Sequence, residues 1–241
     1  MNKDIKNKLQ QVENIKTLIW THKGGVGKSA ITYNLYSYFK QNGYQLGVYT
    51  NDERTYLTDL IEEDYFIASS EEMEGLDDLS DVIFDLGGKT DDLLVNKCVR
   101  NSDTIIVPIK EPNCNATFGA LDDIITIVEE YELIDKHIII LINDNVELSD
   151  TNKLKNTDED FIKVITDQLL ERYEEVMKFL NIEIRYLYTT KGLKNIAQKQ
   201  EDIFTYSKSH KFKEMATQKQ RVQLIDICNC IIDDNIKNQN K

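Results

Sequence analysis

A glycine-rich turn between an apolar run and a helical pattern constrains this chain more than any other feature. The turn reads Thr21-His22-Lys23-Gly24-Gly25-Val26-Gly27-Lys28-Ser29, after the apolar run 17–20 and before a helical pattern at 31–39. Glycines let the backbone turn sharply and approach an anion, so that successive amide groups point at phosphate oxygens. The helix that begins near Lys28 adds the partial positive charge of its N-terminus. The order strand, loop, helix therefore predicts a phosphate-binding loop and the binding of a nucleoside triphosphate.

Two side chains of this loop carry specific expectations. Lys28 is expected to reach the β- and γ-phosphates, and the hydroxyl of Ser29 to ligate Mg²⁺. The alternative is a surface turn rich in glycine and lysine that binds no ligand. The agreement of the spacing, the preceding strand and the following helix disfavours that alternative.

The loop departs from the general motif G-x-x-x-x-G-K-[ST] at two positions. His22 stands where the first glycine is expected, and Lys23 adds a second lysine. The string K-G-G-x-G-K-S resembles the deviant phosphate loop of the ParA/MinD family of ATPases. The resemblance implies that Lys23 reaches across a dimer interface to the nucleotide held by the partner subunit. It also implies which residues hold ATP, namely Lys23, Gly24, Gly25, Val26, Gly27, Lys28, Ser29 and Ala30.

One of these positions differs from the family. Ala30 replaces a second hydroxyl that the family usually has after the motif serine or threonine. The loss removes one phosphate contact, worth about 1–2 kcal/mol at most, so we expect nucleotide binding to survive it.

A second chemical signal is the segment Asp81-Val82-Ile83-Phe84-Asp85-Leu86-Gly87-Gly88. Its apolar residues lead to an acid at the carboxyl end of a strand, which is where ligands bind in open α/β sheets. Asp85 is expected to hold Mg²⁺ through water as a Walker B acid. The backbone amide of Gly88 is expected to sense a γ-phosphate in the manner of a switch loop. The alternative for Asp85 is an ordinary acid at a strand end.

A third segment, 43–54, departs from the family at a catalytic position. It aligns without gaps on the family's Asp-x-Asp-Pro-Gln segment, so that Asp52 matches the second aspartate, Thr50 replaces the first and Glu53 replaces the proline. In ParA-like proteins the first acid lies beside the γ-phosphate and supports hydrolysis. Threonine cannot accept a proton from water near neutral pH. Hydrolysis is therefore expected to be slow, unless Asp52 takes over the role.

Strand-like runs alternate with helical patterns along the chain, which predicts the fold class. The strand candidates are 17–21, 45–50, 82–86, 104–109, 137–142 and 183–188, with a short run at 65–68, and several are continuous Val- and Ile-rich runs. This alternation predicts a single α/β domain of the phosphate-loop NTPase type, with a mostly parallel twisted sheet covered by helices on both faces. We assign residues 1–16 to a polar N-terminal segment and 17–241 to the ATPase domain. The acidic stretch Asp144–Glu159 is expected to be a solvated loop.

The strand at 137–142 is followed by Asn143, where the family often supplies an asparagine that reads adenine. A side-chain amide can pair with the edge of adenine through one donor and one acceptor. Asparagine is also a favoured loop residue, so both interpretations stand at this stage.

Charge is unevenly distributed, which bears on partners. The chain has a net charge of −13, which argues against a general nucleic-acid coat. The stretch 185–221 nevertheless has nine cations against three acids, a net +6 that leaves −19 for the remainder. ParA-like proteins carry a DNA-binding basic patch in this region, and the alternative is a solvated helix face. The candidate DNA-binding residues are Arg185, Lys191, Lys194, Lys199, Lys208, Lys211, Lys213, Lys219 and Arg221.

Other classes of function fit less well. The apolar C-terminal stretch 222–234 is flanked by acids, which anionic lipid repels, so no membrane role is expected. The first sixteen residues lack a signal-peptide core, and a cytoplasmic location is expected, with nucleoid association if DNA binds. Cys98 and Cys114 lack the local pattern of an iron–sulfur site, so no cluster is expected. Cys228 and Cys230 lack the spacing of a usual zinc knuckle and are expected to be reduced structural thiols.

These observations and the resemblance combine into one expectation and one alternative. The expectation is a ParA-like ATPase that dimerises on ATP, binds DNA without sequence preference and segregates a plasmid or chromosome with a centromere-binding adaptor. Its catalytic residues would be Lys23, Lys28, Asp52 and Asp85, with Ser29, Asp52 and Asp85 on the Mg²⁺ side. The alternative is a non-hydrolysing module whose nucleotide-dependent dimer controls a partner protein.

Overall fold

Seven strands and seven helices make up the part of the chain that the computed structural model describes. That part comprises residues 3–51, 57–61, 66–68, 79–87, 90–109, 115–144, 154–188, 202–205 and 215–239. The strands are β1 Lys16–Ile19, β2 Gly47–Thr50, β3 Phe66–Ala68, β4 Val82–Asp85, β5 Thr104–Ile109, β6 His137–Asp144 and β7 Asn181–Tyr188. The helices are α1 Lys3–Leu9, α2 Lys28–Gln41, α3 Leu57–Leu60, α4 Asp92–Asn101, α5 Asn115–Glu130, α6 Leu154–Met177 and α7 Met215–Gln239.

The strands form one sheet in the order β3-β2-β4-β1-β5-β6-β7. Every neighbouring pair is parallel. Because parallel strands need crossover connections, the helices pass over the sheet faces and bury them. The predicted α/β fold class is therefore confirmed, and all carboxyl ends of the strands meet at one edge.

Two helical layers cover the two faces of the sheet. Along β5, Ile106 packs into the layer that contains residues of α1, α2 and α7, whereas Ile105 and Val107 pack into the layer of α4, α5 and α6. This alternation follows from the period of two along a strand. No helix in the described ranges is long and apolar enough to cross a membrane.

Helix α2 is enclosed along most of its length. Its residues 31–39 are all buried, including the polar Asn34. The Asn34 side chain donates to the Ala30 carbonyl at 2.7 Å and accepts from the Ile203 amide at 2.9 Å. The helix that follows the glycine-rich loop is thus fixed inside the fold, which gives the loop a rigid base.

Two segments that the sequence placed outside the regular elements have structure of their own. The polar N-terminal segment packs on the body of the fold, since α1 contacts α7 and the side chains of Leu9, Val12 and Ile15 are buried in the core. The acidic stretch 144–159 was expected to be a loop, but this prediction was wrong at both ends. Asp144 ends β6, pairing with Tyr188, and α6 begins at Leu154.

Candidate functional site

The glycine-rich loop leads from the end of β1 into α2, as predicted. Gly25 has a φ of +73° and Gly27 a φ of +95°, and Gly27 is the N-cap of α2. Residues with side chains rarely adopt these left-handed conformations. The carbonyl of Gly27 accepts from the Ile31 amide at 3.0 Å, so the backbone amides at the start of α2 are directed into the loop. The loop geometry is that of an anion site at a helix N-terminus.

Asn143, at the carboxyl end of β6, holds this loop in place. Its Nδ2 donates to the Val26 carbonyl at 2.5 Å, and the side chain is almost fully buried. A Cβ atom at position 27 would lie 2.6 Å from the same Nδ2, so the contact requires glycine there. The Oδ1 atom is buried and has no hydrogen-bond partner among the described residues. Asn143 is therefore a positioning residue for the loop, a role that the sequence did not reveal, and its contact with adenine stays a prediction.

The two lysines of the loop lie close to each other. Lys28 Nζ donates to the Lys23 carbonyl at 3.2 Å, across the interior of the loop. Lys23, Lys28 and Ser29 are half-buried, whereas Gly24 and Gly25 are exposed. The ammonium group of Lys28 thus lies at the opening where an anion would enter. A phosphate oxygen, being charged, is a stronger acceptor than this carbonyl.

Asp85 and Thr50 lie side by side at the carboxyl edge of the sheet. In the strand register, Asp85 pairs with Ile19 of β1 and with Thr50 of β2. Asp85 is 1% exposed and Thr50 is 3% exposed. The predicted magnesium-side acid is therefore one strand away from β1, which enters the phosphate loop. The Ser29 hydroxyl and the Asp85 carboxylate are hard oxygen donors, and this donor set fits Mg²⁺.

Asn51 ties the end of β2 to the segment that follows Asp85. Its Oδ1 accepts from the Gly87 amide at 2.8 Å, and its Nδ2 donates to Thr90 Oγ1 at 2.9 Å. Thr90 Oγ1 in turn donates to the Gly87 carbonyl at 2.5 Å. Asp52 and Gly88, the neighbours of this link on either side, lie outside the described residues. The sequence did not predict the link, because an asparagine after a strand carries no signal of its partner.

His22 connects the start of the loop to α5. Its Nε2 lies 2.6 Å from Asp123 Oδ2, and its ring packs edge-on against Trp20 with centroids 4.7 Å apart. A Cβ at Gly119 would lie 3.6 Å from His22 Cδ2, an ordinary van der Waals distance, so the imidazole packs close to α5 at this point. The histidine that replaces the usual first glycine therefore has a structural contact of its own.

Only three of the nine candidate DNA-binding cations are among the described residues. Arg185, on β7, has a half-buried side chain whose Nη2 lies 2.7 Å from Glu183 Oε1. Lys219 and Arg221 lie two residues apart in α7 and are exposed and half-buried, respectively. The others, which fall outside the described residues, are Lys191, Lys194, Lys199, Lys208, Lys211 and Lys213.

We predict that Gly27→Ala destabilises the protein even without nucleotide. A side chain at φ +95° costs about 1–2 kcal/mol, and the added Cβ collides with Asn143. The measurement is the free energy of unfolding in urea. Gly24→Ala is the matched control, since a Cβ at Gly24 meets nothing within 4 Å and it should change the value by less than about 0.5 kcal/mol. Equal effects of both substitutions would contradict the described packing of Asn143 on the loop.

Of the comparisons with known proteins, only the comparison with solved structures found a match. No protein-family model matches the chain, and no curated protein matches it. The MinD cell division protein of Aquifex aeolicus is similar with a TM-score of 0.49 and 15% identity, over 93% of this chain and 97% of that one. The MinC:MinD cell division protein complex of the same organism is similar with a TM-score of 0.47 and 14% identity, over 93% of this chain and 96% of that one. Values this low say nothing about the ligand, the partners or the activity of this chain.

Proposed function

We propose that this chain is an ATP-binding protein of the ParA/MinD type that acts as a nucleotide-dependent dimer. The observation that carries the proposal is the phosphate loop, with left-handed Gly25 and Gly27 and with Lys28 at its opening, next to the buried Asp85. Backbone amides at the start of α2 and the Lys28 ammonium would hold the phosphates. Bound Mg²⁺ would supply charge neutralisation for phosphoryl transfer, held by Ser29 and, through water, by Asp85.

The proposed dimerisation depends on Lys23. Its backbone carbonyl faces Lys28, and its half-buried side chain precedes the exposed Gly24 and Gly25. Within one chain the exposed side of the loop is available to a second molecule. By resemblance, the Lys23 ammonium would reach the nucleotide of that partner and couple ATP binding to dimerisation.

Substituting the two lysines separates binding from dimerisation. Lys28→Ala is expected to weaken ATP binding about tenfold to a hundredfold, because a charge-assisted contact is worth about 1.5–3 kcal/mol. Lys23→Ala is expected to bind ATP within a few-fold of the unaltered protein but to remain monomeric. Fluorescence anisotropy of a labelled ATP analogue measures binding, and light scattering after gel filtration measures mass.

Lys40→Ala, an exposed lysine at the other end of α2, is the control and should change neither property. Tight ATP binding by Lys28→Ala would contradict the proposed site. ATP-dependent dimers of Lys23→Ala would contradict the role of Lys23 while leaving the site intact.

We further propose that ATP hydrolysis is slow in this protein. Thr50 lies next to Asp85 at the carboxyl edge of the sheet, where ParA-like proteins have an acid, and its hydroxyl cannot take a proton from water near neutral pH. This feature also favours the second candidate function, a nucleotide-gated module that controls a partner protein without turnover. For the module, ATP should give dimers without appreciable phosphate release.

Restoring the acid tests this explanation. Thr50→Asp is expected to raise MgATP-dependent phosphate release by roughly a hundredfold, at the lower end of what a general base contributes. Thr50→Val, which has nearly the same shape, is the control and should show no gain. Because an acid at 50 would lie next to Asp85, thermal unfolding with MgATP must show that the variant is folded. Fast release by the unaltered protein, abolished by Asp52→Ala, would instead assign the catalytic role to Asp52.

The cellular role that we propose is DNA segregation, with a centromere-binding adaptor as the expected partner by resemblance. The support from this chain is the net +6 of residues 185–221 in an otherwise acidic protein. Binding would go through phosphate groups and would need no base sequence. Association with the nucleoid would follow from such binding.

DNA binding is tested with the two described cations of α7. The double substitution Lys219→Glu and Arg221→Glu is expected to weaken ATP-dependent binding of mixed-sequence duplex. It should also reduce the slope of the logarithm of the binding constant against the logarithm of salt concentration, by an amount that corresponds to up to about two phosphate contacts. The double substitution Lys163→Glu and Lys178→Glu, at two exposed lysines outside the stretch 185–221, makes the same change in net charge and is the control for charge alone. Absence of binding by the unaltered protein in about 50 mM salt with MgATP would contradict this role and favour the module.

A further inference from the structure

A second polar cavity lies at the opposite edge of the sheet, away from the phosphate loop. It has a volume of about 420 Å³ and is enclosed by the first residues of β6 and β7 and by one side of α7. Its lining includes His137 at the start of β6, Glu183 and Arg185 on β7, and Cys230 and Asp234 on α7. None of these residues has a part in the proposed nucleotide site.

Three of these side chains bring metal-ligand atoms together. One atom each of His137, Glu183 and Cys230 lies within 4.8 Å of the other two. Glu183 Oε2 is 3.4 Å from His137 Nε2 and 3.3 Å from Cys230 Sγ. Zinc bonds of about 2.0–2.3 Å in a tetrahedron place neighbouring ligand atoms about 3.3–3.8 Å apart. The two separations from Glu183 match that spacing, and Cys230 Sγ lies 3.9 Å from His137 Nδ1, slightly beyond it.

Asp234 faces the imidazole of His137 from the other side. Its Oδ2 lies 3.5 Å from His137 Nδ1, and its side chain is 9% exposed. This buried oxygen has no hydrogen bond among the described residues. A carboxylate behind a metal-binding histidine is the usual arrangement that fixes the ring and its tautomer. Cys230 and Asp234 are four residues apart, so a helix presents both on one face.

The donor types of the cluster select among cations. A thiolate, an imidazole and a carboxylate together suit Zn²⁺ rather than Mg²⁺ or Ca²⁺, which prefer oxygen. The cavity also contains Arg185, whose Nη2 lies 2.7 Å from Glu183 Oε1.

We infer that His137, Glu183 and Cys230 form a binding site for a thiophilic divalent metal ion of the zinc class, with Asp234 as the positioning residue behind His137. The spacing of Cys228 and Cys230 argued against a zinc knuckle, and this site is of another kind, because strands β6 and β7 supply two of its three ligands. The ion would join α7 to both strands. It lies about 20 Å along β6 from Asn143, and it is independent of the proposed nucleotide function.

Cobalt reports directly on the proposed ligands. The full-length protein, stripped of metal with a chelator, is titrated with Co²⁺, with Zn²⁺ as competitor. We expect one equivalent of Co²⁺ to give a thiolate-to-cobalt charge-transfer band that Zn²⁺ abolishes. Cys230→Ser should lose the band, and Glu183→Gln should weaken binding at least tenfold. Asp234→Asn should keep the band but weaken binding about 10–100-fold, as loss of an orienting carboxylate does.

Cys98→Ala is the matched control, since Cys98 is a buried thiol in the opposite helical layer and its loss should leave the band unchanged. Circular dichroism and thermal unfolding establish that each variant is folded. Absence of the band in the unaltered protein, or its persistence in folded Cys230→Ser, would overturn the inference. Because none of these readouts involves ATP, failure here leaves the proposed nucleotide site unaffected.

Discussion

The contact of Asn143 with the glycine-rich loop is the interaction on which the candidate site depends. One hydrogen bond from Nδ2 to the Val26 carbonyl, with the same atom packed against Gly27, joins β6 to a loop that starts on β1. The loop conformation is therefore set by the order of the strands, because β5 alone separates β1 from β6. Position 27 requires glycine for two reasons. The turn into α2 has a left-handed φ there, and a Cβ atom would collide with Asn143.

The two edges of the parallel sheet carry different sets of potential ligand atoms. Its carboxyl edge brings together backbone amides, Ser29, Thr50 and Asp85, a set of hard donors suited to phosphate and Mg²⁺. Its amino edge brings together imidazole, thiol and carboxylate from β6, β7 and α7. Strand β6 reaches both, with His137 at one end and Asn143 at the other. Under the two proposals, ligands of different softness would bind at opposite edges of one sheet.

The sequence predicted most where a signal was local. The strand 104–109 was predicted with its observed bounds, because a run buried on both faces is continuously apolar. The glycine-rich loop at the start of α2 and Asp85 at the end of β4 also lie where local patterns placed them, a glycine pattern before a helix and an acid after an apolar run. Their roles toward phosphate and Mg²⁺ stay predictions. The sequence carries no comparable local pattern for contacts between residues that are far apart along the chain. Asn143 and Val26 are 117 residues apart, and Cys230 and His137 are 93 apart. The start of α6 was missed because its first turn is polar, as a solvated loop would be.

The exposure of Gly24 and Gly25 has a consequence for the electrostatics of a single chain. Nothing among the described residues would lie within 4 Å of a Cβ at either glycine, so water reaches the loop from that side. Next to bulk water the effective dielectric constant is high, and the attraction between Lys28 and a phosphate falls severalfold from its value in a dry interior. Shielding this face from solvent would strengthen every ionic contact in the loop at once, without moving any of its atoms.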